Sequence, residues 1–148
     1  MNTPSNIEIA LITTPLQIRA SREIRETVFV IEQAVPREIE YDEYETIATH
    51  IIATLGGKPV GTARWRQTDH GQKLERFAVL PPARGKGVGG AMVKFILDLL
   101  DREDDVYLNS QVSAIKFYTN LGFKAIGDIF YEADIPHRKM ILDKDQKK

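Results

Sequence analysis

The sequence predicts an α+β (mixed α/β) domain, a single mixed sheet flanked by about four helices. Three observations carry that expectation. Three short apolar-alternating segments, separated by glycine-bearing turns, follow one another between Ile47 and Leu80. Segments with helical periodicity stand on either side of them. A glycine-rich loop, Arg84-Gly85-Lys86-Gly87-Val88-Gly89-Gly90, lies where the last of these strands gives way to a helix. The early strands read as antiparallel, and the crossover helix after the loop makes the next pairing locally parallel.

Ile7–Ile12 reads as the first strand, closed by Thr13-Thr14-Pro15. Leu16, Ala20, Ile24, Val28 and Ile31 then recur at helical spacing with charges between them, which predicts one amphipathic helix ending near Glu32-Gln33. Val35-Pro36 breaks it, and an acidic connection runs to about Glu45. Ile47–Leu55 and Pro59–Gln67 form a hairpin through Gly56-Gly57, and Thr68-Asp69-His70-Gly71 turns the chain into a third strand, Lys73–Leu80. After Pro81-Pro82 and the loop, Val88, Met92, Phe95, Ile96, Leu99 and Leu100 predict a second amphipathic helix. Val106–Asn109 is a short strand. Ser113 is the expected N-cap of a helix carrying Ala114, Phe117, Tyr118 and Leu121, with Gly122 as its stop. Phe123–Ile126 and roughly Lys139–Leu142 are the expected last strands.

The 148 residues fit one compact domain, 1–148, with 145–148 as a frayed tail. With 43% hydrophobic and 28% charged residues, the chain has material for a core. A formal net charge of −1 argues against a nucleic-acid-binding protein. No apolar run is long enough for a membrane span, and Met1-Asn2-Thr3-Pro4-Ser5 does not open a signal peptide. There is no cysteine, hence no disulfide framework or thiolate chemistry, and the cytoplasm is the expected compartment. His50, His70 and His137 are far apart in sequence, so no metal site is indicated.

The loop carries the chemistry. Closely spaced glycines reach conformations closed to other residues, so successive N–H groups can converge on one anion. The N-terminus of the following helix adds partial positive charge, and Arg84 and Lys86 add full charges. A diphosphate suits such a site. The bland alternative is a glycine-rich turn that merely starts a helix. A nucleoside-triphosphate loop would need Gly-Lys-Ser/Thr, which is absent. Gly85, Gly87 and Gly90 do satisfy G-x-G-x-x-G, but the acidic residue that a dinucleotide ribose requires would fall at Asn109-Ser110.

At these residues the sequence resembles the GNAT superfamily of N-acetyltransferases. Arg84-Gly85-Lys86-Gly87-Val88-Gly89 is similar to the family's Q/R-x-x-G-x-G/A loop. Arg76-Phe77-Ala78-Val79 resembles the strand whose backbone holds the pantetheine arm. Asn109, Ala114-Ile115-Lys116-Phe117-Tyr118 and Leu121-Gly122-Phe123 resemble the second cofactor segment. Phe29-Val30-Ile31-Glu32-Gln33, the acidic stretch and Ile135-Pro136-His137 resemble the ElaA/YjcF-type bacterial subgroup.

The resemblance implies a GNAT-like fold and direct transfer of an acetyl group from acetyl-CoA, as co-substrate and without a metal, to a primary amine. The acceptor would be a small molecule or a peptide, and a homodimer is among the assemblies it allows. The implied cofactor contacts are Phe77, Ala78, Val79, Arg84, Gly85, Lys86, Gly87, Val88, Gly89, Gly90, Asn109, Phe117 and Tyr118. Tyr118 is the implied acid for the departing thiolate, with core packing as its alternative role. Val79 N–H is the implied donor to the carbonyl.

Glu75 is a candidate base, because on a regular strand Glu75, Phe77 and Val79 share one face. It could equally pair with Arg64 or Arg66; Lys73 stands where the family places its glutamate, and Glu32, Glu40, Asp42 and His137 compete for the role. Glu32, Gln33 and His137 are candidate acceptor contacts. The acids Glu32, Glu38, Glu40, Asp42, Glu43 and Glu45, set against Arg37, form either a lip that attracts a cationic amine or a solvated connection. A non-catalytic CoA- or acyl-CoA-binding sensor is the alternative to an enzyme.

Overall fold

A computed structural model describes residues 6–100 and 103–143, so the expected tail 145–148 lies outside the described residues. Among the described residues the elements are β1 (Ile7–Leu11), α1 (Pro15–Arg25), α2 (Arg37–Glu40), β2 (Thr49–Leu55), β3 (Lys58–Thr68), β4 (Gly71–Val79), α3 (Val88–Leu99), β5 (Val106–Gln111), α4 (Ile115–Thr119), β6 (Phe123–Glu132) and β7 (Ile135–Leu142). The seven strands form one mixed sheet in the order β1-β2-β3-β4-β5-β7-β6. The chain divides into two compact units, Met1–Trp65 with Arg76–Leu100 and Arg66–Glu75 with Asp101–Lys148.

In the first unit, α1 starts where local chemistry dictates. The Thr14 hydroxyl accepts from Gln17 N–H (3.2 Å), the Gln17 side chain accepts from Thr14 N–H (3.1 Å), and Pro15 occupies the first turn. The helix does not continue as one α-helix to Gln33. From Glu26 to Glu32 it widens to π geometry, and Gln33 N–H reaches back five residues to the Val28 carbonyl (3.2 Å). The widened turn rotates the apolar stripe. Ile24, Val28 and Phe29 are buried, while Ile31, expected on the same face, is 71% exposed; Leu16 is exposed too, in the first turn of α1 and before the π segment.

β1, β2 and β3 pair antiparallel, with Ile9 opposite Ala53 and Ile52 opposite Thr62. Gly56 (φ 59°) and Gly57 (φ 86°) are both left-handed, as a tight two-residue hairpin turn demands. Ile51, Ala53 and Ala63 are buried here, as are Val88, Met92, Val93 and Ile96 of α3.

The acidic connection is an internal structure. Arg25 donates to Glu40 through Nε (2.6 Å) and to Glu45 through Nη1 and Nη2 (2.7 and 2.9 Å). Arg64 donates to Glu45 and Asp42 (2.8 Å each), and Arg76 to Asp42 (3.1 Å) and the Ile39 carbonyl (3.0 Å). Arg25 and Arg64 are each 1% exposed. Three arginines thus balance three carboxylates, and the Tyr41 ring lies 5.1 Å from the Arg25 guanidinium.

Burial alone would raise the carboxyls of Asp42 and Glu45, but the arginine hydrogen bonds and charges outweigh it and hold both below their ordinary values. Burial wins at Glu40 and pushes its carboxyl up. The stabilisation from Asp42 and Glu45 is therefore present above the ordinary carboxylate pKa, about 4, and is lost as pH falls through their depressed values. The Glu40 contribution has the opposite sign: it is present below that pKa and lost as pH rises through the raised value. With two groups against one, the urea midpoint is expected to fall on acidification below about pH 4, measured by equilibrium unfolding at pH 7, 5, 4 and 3.

In the second unit, Gln72–Leu74 of β4 pairs parallel with Val106–Leu108 of β5, the parallel contact expected after the crossover helix. β7 lies antiparallel to β5, with Leu108 opposite Met140. Leu74, Val106, Leu108, Phe123, Met140 and Leu142 are buried in this unit.

The last two strands are longer than expected and form one hairpin, with a register shift between Ile126 and Phe130. Its turn is Ala133-Asp134, both left-handed (φ 50° and 64°). Asp134 tolerates this conformation, but alanine at the first position does not announce a turn of this kind as Gly or Asn would. Ser113 is not the N-cap of α4. It lies inside a 3-10 turn, Val112–Ala114, where Ile115 N–H is already satisfied by the Val112 carbonyl. The helix ends at Thr119 with Asn120 as its C-cap, two residues before the expected stop, and the left-handed Gly122 (φ 101°) follows in the turn to β6.

Candidate active site

The loop 84–90 joins a 3-10 turn, Pro81–Ala83, to α3. Gly85 (φ 78°) and Gly87 (φ 89°) are left-handed, and a Cβ on either would meet nothing within 4 Å. Glycine is thus required by the backbone, while the space above the loop is open. Gly87 is the N-cap of α3 and offers no side-chain acceptor to the first-turn N–H groups; the first intrahelical bond is Ala91 N–H to Gly87 O (3.1 Å). Left-handed glycines leading to an uncapped helix N-terminus, with open space in front, fit a diphosphate. Lys86 is exposed in this loop.

Arg84 uses its charge differently from the expectation. Its Nε donates to the Val79 carbonyl (2.8 Å), and Nη1 and Nη2 donate to the two carboxylate oxygens of Glu32 (2.7 Å each). The hydrogen bonds from Arg84 hold the Glu32 carboxyl below its ordinary value, and those to Glu32 raise the Arg84 guanidinium. The structure therefore brings Glu32, Arg84 and Val79 together. Gln33 follows directly as the C-cap of the π turn. With Glu32 paired to Arg84, and Glu40, Asp42 and Glu45 paired to buried arginines, the acidic stretch leaves Glu38 and Glu43 exposed. It is not an open acidic lip.

Before the loop, Ala78 is buried, and Phe77 and Val79 are half-buried on β4. Arg76 has φ 61°, an uncommon value for a side-chain-bearing residue in a strand. This breaks the regular alternation on which a shared face for Glu75, Phe77 and Val79 depends. The Arg76 guanidinium is tied to Ile39, Asp42 and Glu40, and those contacts oppose the strain.

The second unit holds the other candidates. Glu75 accepts from Arg66 Nε (2.9 Å) and lies 3.4 Å from Lys73 Nζ, so its carboxylate is engaged in ion pairs. Asn109 is half-buried on β5, opposite Lys139. Tyr118 is buried on α4, edge-on to Phe117 (4.9 Å) and Phe123 (6.1 Å), while Phe117 is 40% exposed. Burial pushes the Tyr118 phenol well above its ordinary value, so it stays protonated at neutral pH. His137 is buried, stacked on Phe130 (5.9 Å), and its Nδ1 donates to the Ile135 carbonyl (2.7 Å).

Sequence reasoning missed the partners of Arg25, Arg64 and Arg76. The signal available was six acids in a short stretch with a single base among them, which calls for counter-charges elsewhere.

Residues 15–144 match the family model described as "Acetyltransferase (GNAT) domain". The chain is 40% identical over 130 residues to the "Uncharacterized N-acetyltransferase YjcF" of Bacillus subtilis, covering 86% of this chain and 93% of that one. It is similar to the crystal structure of Escherichia coli ElaA, with a TM-score of 0.83, 26% identity and coverage of 93% and 99%. It is likewise similar to an acyl-CoA N-acyltransferase from Pseudomonas aeruginosa, with a TM-score of 0.82, 25% identity and the same coverage. The loop, the sheet order and these matches agree: the chain belongs to the GNAT family and is an acyl-CoA-dependent acetyltransferase.

Proposed function

We infer that this enzyme transfers the acetyl group of acetyl-CoA directly to an amine of its acceptor, without a metal, and that residues 1–148 are a single acetyltransferase domain. The observation that carries the reading is the pair of left-handed glycines, Gly85 and Gly87, leading into the uncapped N-terminus of α3. The family match over residues 15–144 draws on both units.

Acetyl-CoA supplies an activated thioester carbonyl. In this reading the N–H groups of loop 84–90 hold the diphosphate, with Lys86 adding charge, and the 77–79 backbone holds the pantetheine arm. Val79 N–H donates to the carbonyl oxygen where negative charge develops. The acceptor nitrogen forms the new C–N bond as the C–S bond breaks, and its proton leaves to a base or through water. Glu75 is the side chain we place in the base role, with Arg66 and Lys73 flanking its carboxylate. Tyr118 O–H donates to the departing sulfur. Asn109 and Phe117 complete the cofactor contacts, and Gln33 and His137 face the acceptor.

The test is ligand-dependent melting followed by turnover. Saturating CoA at about a hundred times its Kd is expected to stabilise the fold by about 2.7 kcal/mol, and NAD to leave it unchanged. Free thiol should then appear from acetyl-CoA with at least one member of a primary-amine panel. Stabilisation by NAD but not CoA would overturn the assignment, and CoA binding with no thiol release would leave a binding protein in place of an enzyme.

A further inference from the structure

Three groups meet at the start of the glycine loop. The Glu32 carboxylate takes both terminal nitrogens of Arg84, and the third edge of the same guanidinium donates to the Val79 carbonyl (2.8 Å). The other side of that peptide is held too, since Leu80 N–H donates to the Val60 carbonyl (2.8 Å). The peptide between Val79 and Leu80 is therefore clamped at both ends. It lies between the 77–79 segment and the 84–90 loop.

The far end of the clamp is itself anchored. Glu32 closes the π turn, Val28 and Phe29 of that turn are buried, and Val35 N–H donates to the Phe29 carbonyl (2.8 Å). A guanidinium gripped bidentately has a fixed plane, which a single hydrogen bond would not provide.

We propose that Glu32 is a positioning residue for the acyl end of the active site: through Arg84 it fixes the Val79–Leu80 peptide, and with it the direction of the Val79 backbone. This rests on the reading of 77–79 and 84–90 as the acetyl-CoA site. It assigns Glu32 a role that acts through Arg84 and not through the acceptor, and the two roles have different kinetic signatures. If Glu32 held the acceptor itself, its replacement would raise the acceptor KM. Release of the clamp lowers kcat and leaves the acceptor KM alone. It also frees Arg84 to turn toward the diphosphate, so the acetyl-CoA KM stays level or falls.

The ion pair is 41% and 39% exposed, so Glu32→Gln is a variant that folds, with a Tm close to wild type. The expected result is a kcat about tenfold lower for thiol release from acetyl-CoA, with the acceptor KM changed less than about twofold. In an Arg84→Ala background, Glu32→Gln is expected to add less than about twofold further loss, because its route is already gone. Amide hydrogen exchange on the free protein is the second readout: the Leu80 N–H should exchange about tenfold faster in Glu32→Gln while amides of β1 and β2 do not change.

An unchanged kcat with a raised acceptor KM would overturn the proposal, as would equal losses in both backgrounds or unaltered exchange at Leu80. Failure of the wild type to bind CoA sinks the cofactor-site reading instead, and the exchange experiment still reports on the clamp by itself.

Discussion

Replacing Arg25 by alanine is expected to destabilise the protein by about 3–5 kcal/mol, read as a lower urea midpoint at pH 7 with an unchanged m-value. The side chain is the hub of a closed set of charges. It satisfies the Glu40 carboxylate and carbonyl and both oxygens of Glu45, and it lies against the Tyr41 ring. Removing it leaves Glu40, 2% exposed, to the more distant Arg76 Nε at 3.3 Å. A poorly compensated buried carboxylate is the costly outcome, more so than the loss of any one hydrogen bond.

Arg25→Lys keeps the charge but not the fork, and an intermediate loss is expected. The control is Arg37→Ala. Its guanidinium pairs with Glu26 at the surface, 68% exposed, and its removal should leave the midpoint nearly unchanged. Equal midpoints for Arg25→Ala and Arg37→Ala would show that the buried cluster contributes no more than a surface pair.

Tyr118→Phe is expected to lower kcat about 100-fold with the acetyl-CoA KM changed less than about twofold. The variant removes one oxygen and retains the ring contacts with Phe117 and Phe123, so folding is preserved. Burial holds the phenol above its ordinary pKa of about 10, whereas a thiol titrates near 8.5. Full proton transfer from this phenol to a thiolate is therefore uphill, and the group acts best as a hydrogen-bond donor to sulfur as charge builds there. It follows that the kcat–pH profile of the wild type should show no falling limb from Tyr118 between about pH 6 and 9. Such a limb, abolished in Tyr118→Phe, would show a phenol that titrates in the working range; an unchanged kcat in the variant would assign Tyr118 to packing alone.

How far the fold can be read from the chain depends on the range of the interaction involved. The Gly56-Gly57 hairpin and the Gly122 turn after α4 are visible because glycine is the residue that reaches positive φ without strain. The run from Leu16 to Ile31 misleads, because a π turn changes the period partway along without a residue that marks it. The full length of the β6–β7 hairpin is hidden for a related reason: Ala133 takes a left-handed turn position that glycine, asparagine and aspartate favour and alanine does not. Ser113 has an N-capping side chain, but a backbone turn already meets the same need.

By itself the sequence determined the family and the backbone of the loop. Left-handed glycines at 85 and 87 before an apolar helix are a local arrangement of adjacent residues, and no distant contact is needed to recognise it or the family it points to. Only the tertiary structure decided where the charges go. Arg84 reaches across 52 positions to Glu32, Arg25 across 15 to Glu40, and Arg64 across 22 to Asp42; the Glu75–Arg66 pair, between neighbouring strands, is the one the sequence offers. An ion's partner is set by which opposite charge the fold brings within about 3 Å and screens from water, a quantity that neither spacing nor composition encodes.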